Sequence, residues 1–502
     1  MLCWLVGLNQ EGYIRFIEEH VEGILREYKN DVSQSPDAIY VTRDPYNLTA
    51  SHVAAKLTEA CLYSANILHK IKYKDSKDAF KDFKFDSEYS KLCYSTDAAC
   101  LLCQLRDCVY ACCHQLEFLK AQCNRKESEG GWQNCPYGQD TKTPSPLQAF
   151  LTDGPDSDFK THPFDPCDIC RKSRVNMGFR EEYLPKNLQT GDTLSTILTP
   201  TCGGEDPLLT LCSYLTCITR RTPRTTGELV SFFHNFGGEL HGASSQLSKL
   251  GSALSQPHDD CPDWDRLKDA DLRAFKGARG SAPPTSTSNH NHSEDHPETL
   301  STMLGCGIDN VNCPQLMTPI TYRAYALYSS SFAHHYFSWT VYLPDRLWKS
   351  LLKLHYDLEK LQCHDSKSKS LHQCTKALPL LYTHGITPPD GALQPSITCS
   401  KVIAKLEQVV AGKPIASLIT AMDTFLYNIR TPFLYTVFSL WLTATLYIAH
   451  SLLYRMDVLR IRSHLLTTRA SHLIDVKALL AGSRRMLSLY KDIDYFDDDF
   501  HS

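Results

Sequence analysis

The sequence predicts a mainly α-helical protein: a cysteine-rich helical outer region, one C-terminal transmembrane helix and a short cytoplasmic tail. Three observations carry that class. Residues 433 to 454, "FLYTVFSLWLTATLYIAHSLLY", hold no Asp, Glu, Lys or Arg. All 21 cysteines lie before residue 400, and none follows that stretch. Apolar residues recur at helical spacing through much of the chain, and no segment alternates as a half-buried strand does.

The uncharged stretch has 22 residues. As a helix it spans about 33 Å, enough for a hydrocarbon core of about 30 Å. Backbone groups in lipid must bond within their own segment, so a helix is the conformation expected there. Pro432 suits a first turn, and Phe433, Tyr435 and Tyr454 suit the headgroup levels. The competing reading, a buried core helix, fits poorly with that apolar length and those sharp flanks. Lys413 and Arg430 are the only Lys or Arg in the twenty residues before the span. Arg455, Arg460, Arg462 and Arg469 lie in the twenty after it. That asymmetry places the C-terminus in the cytoplasm and residues 1–431 outside or in a lumen.

Twenty of the cysteines lie between Cys61 and Cys399, as a disulfide framework on an oxidising side would have them. The odd total leaves a thiol free or paired between chains, with Cys3 and the adjacent Cys112 and Cys113 as candidates. Two sequons, at Asn47 and Asn291, fall on the same side and are candidate glycosylation sites.

A chain of 502 residues with 42% hydrophobic and 22% charged residues has the makeup of a foldable globular protein. A net charge of −4 gives no reason to expect a nucleic-acid partner. The opening "MLCWLVGLNQE" has a short apolar run and no basic residues before it, unlike a signal peptide, so a longer precursor is expected.

The order of segments follows. Residues 1–140 form a helical cysteine-rich region, with helices expected over 9–29, over 50–73 opened by Thr49 or Ser51, and over 100–123. The lysine-rich stretch "KIKYKDSKDAFKDFKFDSEYSKL" interleaves acids with its lysines and reads as a solvated run. Within 100–123, Cys100 with Cys103, and Cys108 with Cys112, share helical faces and look toward partners on other segments. Residues 141–206 read as irregular and pinned by cysteines. Residues 207–276 form a helical region whose first run, Pro207 to Thr219, is too short to span a membrane and reads as core. Residues 277–300 are a polar low-complexity linker. Residues 301–431 are aromatic-rich and helical, ending in a juxtamembrane helix over Ser400 to Val410. The span occupies 433–454 and the tail 455–502, whose first half mixes apolar with basic residues and whose end is acidic.

No catalytic residue emerges: there is no phosphate-cradling glycine loop, no His-Glu-x-x-His and no Gly-x-Ser-x-Gly. His114 and His234 sit beside apolar residues and read as satisfied core positions. Cys100, Cys103, Cys167 and Cys170 form two Cys-x2-Cys pairs, the only plausible metal set, but the pairs are far apart and the first lies within a helix. His290, His292 and His296 read as a solvated loop. "DDCPDWD" lacks the glycine and closing Glu of a calcium loop. No cofactor is expected. Tyr490 and Ile493, in "YKDI", match a tyrosine-based sorting signal.

Three passages, "GGEDPLLTLCSYLTCITRRTPRTTGELVSFFHNFG", "ITYRAYALYSSSFAHHYFSWTVYLPDRL" and "PFLYTVFSLWLTATLYIAHSLLYRMDVLRIRSHLLTTRASHLIDVKALLAGS", resemble the C-terminal part of a family of large cysteine-rich membrane proteins of Babesia parasites. Members carry borrowed names: ribosome-binding-protein-like, extracellular-matrix-binding-like or CCCH-finger-containing. The chain lacks the Cys-x5-Cys spacing that such a finger needs. Family members have a long N-terminal extension, so the resemblance implies a larger parent. The layout is also similar to that of the variant erythrocyte surface antigens of these parasites. The resemblance implies a non-enzymatic surface or secretory-pathway protein, antigenic or adhesive, whose partners are membrane lipid along 433–454 and an unidentified protein. Two alternatives stay open: a zinc-binding membrane protein with reduced, cytosolic cysteines, and a membrane-anchored enzyme with an unrecognised site.

Overall fold

The computed structural model describes residues 1–33, 48–72, 94–141, 145–152, 177–179, 181–199, 206–219, 221–239, 269–280, 294, 296–305, 313–320, 322, 325, 341–361, 371, 374, 376–388 and 397–458. They are mainly helical. The chain divides into two compact units, Met1–Leu426 and Tyr427–Ser502. The segment boundaries expected near 140, 206, 276 and 300 all fall inside the first unit.

The N-terminal helix begins earlier than its periodicity indicates. Helix α1 (Leu2–Gln10) buries Trp4, Leu5 and Leu8, and α2 (Tyr13–Ser33) follows a two-residue break. Gly12 makes that break, with φ 78° and its N–H bonded to the Asn9 carbonyl. Helix α3 (Ala50–Lys72) starts where expected, and Thr49 Oγ1 caps it by accepting the His52 N–H at 3.2 Å. Helix α4 (Ala98–Cys123) is capped by Asp97, whose carboxylate accepts the Cys100 N–H at 2.8 Å. Almost every face of α4 is buried, so it forms the spine of the body.

Within 141–206, read from sequence as irregular, the structure places two short helices, α5 (Pro146–Leu151) and α6 (Gly191–Leu198). Ser145 caps α5 with Pro146 in its first turn. Ser145 and Pro146 therefore act as helix-start signals, while Thr190 precedes α6 without a side-chain capping bond. Strand β1 (Pro136–Tyr137) pairs antiparallel with β2 (Gln189–Thr190) beside them. Gly191 allows this approach, because a Cβ there would sit 2.1 Å from the Trp132 carbonyl oxygen.

Helix α7 (Pro207–Ile218) is a core helix, packed on α3 and α4. Helices α8 (Thr226–Glu239), α9 (Asp269–Arg279) and α10 (Leu300–Leu304) follow, so the expected linker at 277–300 is helical at both ends. Strand β3 (Thr318–Pro319) pairs antiparallel with β4 (Ile386–Thr387). Helix α11 (Pro344–Glu359) buries Leu347, Leu351, Leu354 and Leu358 along one stripe and packs on α8 and on α13 (Cys399–Val410). Between them α12 (Ala377–Thr383) leads into β4.

The last helix, α14 (Lys413–Val458), runs for 46 residues. Pro432 lies inside it and not in a first turn, as the sequence had led us to expect. The helix begins nineteen residues earlier because Ile415, Leu418, Met422 and Phe425 recur at three- and four-residue steps and are buried in the body. Proline removes one donor to the turn below it. Around it the Thr431 and Thr436 hydroxyls donate to the Tyr427 and Pro432 carbonyls.

Candidate functional site

The most distinctive surface is the second half of α14. There Phe433, Tyr435, Leu440 and Tyr447 are each at least two-thirds exposed, and Leu434, Phe438, Trp441, Leu446, Ile448, Leu452 and Tyr454 are exposed too. These side chains point to all sides of the helix, with no polar stripe. The Thr436, Thr443 and Thr445 hydroxyls donate to carbonyls of the preceding turn, so they present no unsatisfied donor outward. Among the described residues this is the one helix long and apolar enough to cross a membrane.

The body carries a second concentration of chemistry where α4, α7 and α8 meet. Arg221, just after α7, is 5% exposed and pairs with Glu228 of α8, which is wholly buried. Its Nε lies 3.5 Å from Asp107 Oδ1, and its guanidinium carbon lies 3.5 Å from the centre of the Tyr110 ring. Arg106 donates to both Asp107 oxygens, at 2.8 and 3.1 Å. Glu228 Oε2 accepts the Thr225 N–H at 2.8 Å and the Arg224 N–H as well. Burial alone would push the Glu228 carboxyl up, but Arg221, Tyr110 and those N–H groups hold it below the usual carboxylate range. Two cations face two anions, so the network is neutral overall.

Two turns along α4 from Asp107, His114 lies against Tyr382 of α12, with ring centroids 4.5 Å apart. Its Nε2–H donates to the Tyr382 carbonyl at 3.2 Å, and Nδ1 has no hydrogen-bond partner among the described residues. Burial pushes its pKa down to about 4, so the ring is neutral. His234 fits the core reading more fully: Nδ1 lies 2.9 Å from Tyr322 OH and Nε2 3.2 Å from Ser301 Oγ.

A third histidine had no sequence signal. His384 Nδ1 lies 2.7 Å from Thr226 Oγ1, which lies 2.7 Å from Ser350 Oγ, and His384 Nε2 lies 3.1 Å from Asp357 Oδ2. The consistent arrangement has Nε2–H donating to Asp357 and Thr226 donating to Nδ1. Burial lowers the His384 pKa, against the pull of Asp357. Hydroxyl, imidazole and carboxylate are in the order a nucleophile and its base require. Yet Thr226 is 1% exposed, and the array joins α8, α11 and the end of α12. It is built as a clip. Close backbone contact sets it: Gly227 N–H donates to the His384 carbonyl at 2.8 Å, and a Cβ on Gly227 would lie 2.2 Å from the Gly385 oxygen. Thr226 lies 124 positions from Ser350 and 158 from His384, beyond any local motif.

Of the candidate metal set, Cys100 is exposed and Cys103 half-buried on α4, and no group of three or more potential ligands occurs among the described residues. Cys167 and Cys170 lie outside the described residues, as do Asn47, Asn291, Tyr490, Ile493, His290, His292 and the "DDCPDWD" run. Cys313 and Cys374 are disulfide-bonded. Nine other described cysteines, Cys61, Cys100, Cys108, Cys112, Cys113, Cys123, Cys135, Cys212 and Cys399, carry free thiols, all but Cys100 buried. Compared with protein-family models, curated proteins and solved structures, the chain has no match.

Proposed function

We propose that the chain is a single-pass membrane protein whose helical body, residues 1–431, is held outside the cell or in a secretory lumen, with the tail after 454 in the cytoplasm. It acts without catalysis, through contact with another protein. The observation that carries the reading is the all-round exposure of large apolar side chains from Phe433 to Tyr454. Water is a poor solvent for such a surface, and lipid is the solvent it fits. The arginines at 455, 460, 462 and 469 support the orientation, and the confinement of cysteine to positions before the span supports an oxidising exterior. The resemblance to the Babesia membrane-protein family supports an antigenic or adhesive role at a parasite surface. Buried, neutralised polar clusters within the body are compatible with a rigid scaffold that presents its surface to a partner.

Cys100, an exposed thiol on α4, is a natural reporter of sidedness. A membrane-impermeant maleimide should label Cys100 on intact cells if the chain is delivered to the surface, or only after the lumen is opened if it stays in internal vesicles. Labelling from the cytosolic side of sealed membranes would reverse the topology and make cytosolic zinc binding the leading alternative.

A further inference from the structure

We propose that Cys113 of α4 and Cys212 of α7 are a cross-linking site, joined as an interhelical disulfide when the chain matures in an oxidising compartment. This rests on the outward placement of the body proposed above for its setting, and on the geometry of the helix pair for its choice of residues. The Cys113 thiol points at α7 and donates to the Leu208 carbonyl at 3.2 Å. Leu208 is one helical turn before Cys212, so that carbonyl lies beside Cys212 in the same turn. Cys212 is among the ionisable groups near enough to push the Cys113 thiol up. Both are buried, at 2% and 1% exposure, in the seam where α4 packs on α7. A disulfide needs two Cβ atoms that converge from separate backbones about 5–6 Å apart at Cα, and a close helix crossing with a small residue on each side can supply that.

Two other buried thiols are aimed elsewhere. Cys61 Sγ donates to the Leu5 carbonyl at 3.2 Å and Cys108 Sγ to the Met1 carbonyl at 3.6 Å. Cys108 and Cys112 are one turn apart on the same helix, where both Cβ atoms lean the same way instead of converging.

The step is a two-electron oxidation. Two S–H bonds break, one S–S bond forms and two protons leave. The two electrons pass to a disulfide oxidant, which is released as two thiols after exchange through a mixed disulfide. Burial pushes the Cys113 thiol up, so little thiolate exists in the packed body. The bond therefore forms while the chain folds, and packing then shields it from reductant.

The test uses the full chain in detergent, equilibrated with graded ratios of oxidised to reduced glutathione during refolding, then alkylated and mapped without reduction. The expected result is a peptide pair linking Cys113 to Cys212, appearing at more reducing ratios than any link to Cys61, Cys108 or Cys112. Cys212→Ser should abolish that pair and leave Cys113 alkylated. Cys113→Ala, which does not place a hydroxyl in the seam, should leave Cys212 alkylated in the same way. Cys113 or Cys212 still alkylated in the wild-type chain at the most oxidising ratio, or linked to another cysteine, would overturn the proposal. Sidedness, read separately with Cys100, decides the functional reading without reference to this pair.

Discussion

The two halves of α14 use the same kinds of residue to opposite ends. Before Leu426 the buried apolar positions are Ile415, Leu418, Met422 and Phe425, one stripe against the body. From Phe433 the apolar residues cover every face, and they are exposed. A stripe needs a protein partner; an apolar cylinder needs an apolar solvent. The difference teaches that hydrophobicity alone does not define a membrane segment. Its angular distribution and the absence of charge do.

Four predictions press on that contrast. The largest effect is expected in the cylinder. Leu440→Arg together with Leu446→Arg places two charges near its middle, each costing roughly 2.5–3.5 kcal/mol on an insertion scale. The chain should move from the carbonate-resistant membrane pellet to the soluble fraction. Retention in the pellet would mean that something other than 433–454 holds it there.

Within the body, the strongest effect should come from the buried ion network. Glu228→Ala leaves Arg221 in the core without its main carboxylate and should cost about 3–5 kcal/mol in denaturant unfolding of the solubilised chain. Arg221→Met combined with Glu228→Leu should recover much of that loss, because no charge is then left unpaired. Equal losses in both variants would show that shape, and not charge balance, matters at this position.

Acid should loosen the body by a smaller amount. His114 is held neutral, with a pKa of about 4 against 6.5 in the unfolded chain, and His384 is lowered in the same direction. Below pH 6.5 the unfolded chain takes up protons that the fold refuses, so stability is full above that pH and falls progressively toward pH 4. Glu228 adds a loss of the same sign at lower pH, as it is protonated through its depressed folded value. Melting temperature measured from pH 7 to 4 should fall, and His114→Gln should flatten the upper part of that slope. An unchanged slope would remove His114 from the account. The smallest effect is at the surface: Glu19→Gln breaks an exposed pair with Arg15 at 3.3 Å and should change stability by no more than about 0.5 kcal/mol.

The sequence was most legible where a local pattern decides the outcome. The cap at Thr49, the core run from Pro207 and the stripe of α11 all show in periodicity or in one capping residue. The break at Gly12 was missed because apolar spacing continues across it, and the early start of α14 because its stripe reads as a separate short segment. The polar clusters were illegible for another reason. Arg221, Glu228 and Asp107, and likewise Ser350, Thr226, His384 and Asp357, meet only through tertiary packing of α4, α8, α11 and α12. Only the close approach of Gly227 and Gly385 explains why Thr226 and His384 meet, and nothing in the spacing of either segment announces it.

The central claim is that 433–454 crosses a membrane with the body on the far side from the cytoplasm. Protease digestion of sealed microsomes, with one tag before residue 1 and another after residue 502, tests it most directly. The account predicts that the C-terminal tag is lost while a fragment containing the body survives until detergent is added. Loss of the body with survival of the C-terminal tag, or loss of both in sealed vesicles, would contradict it.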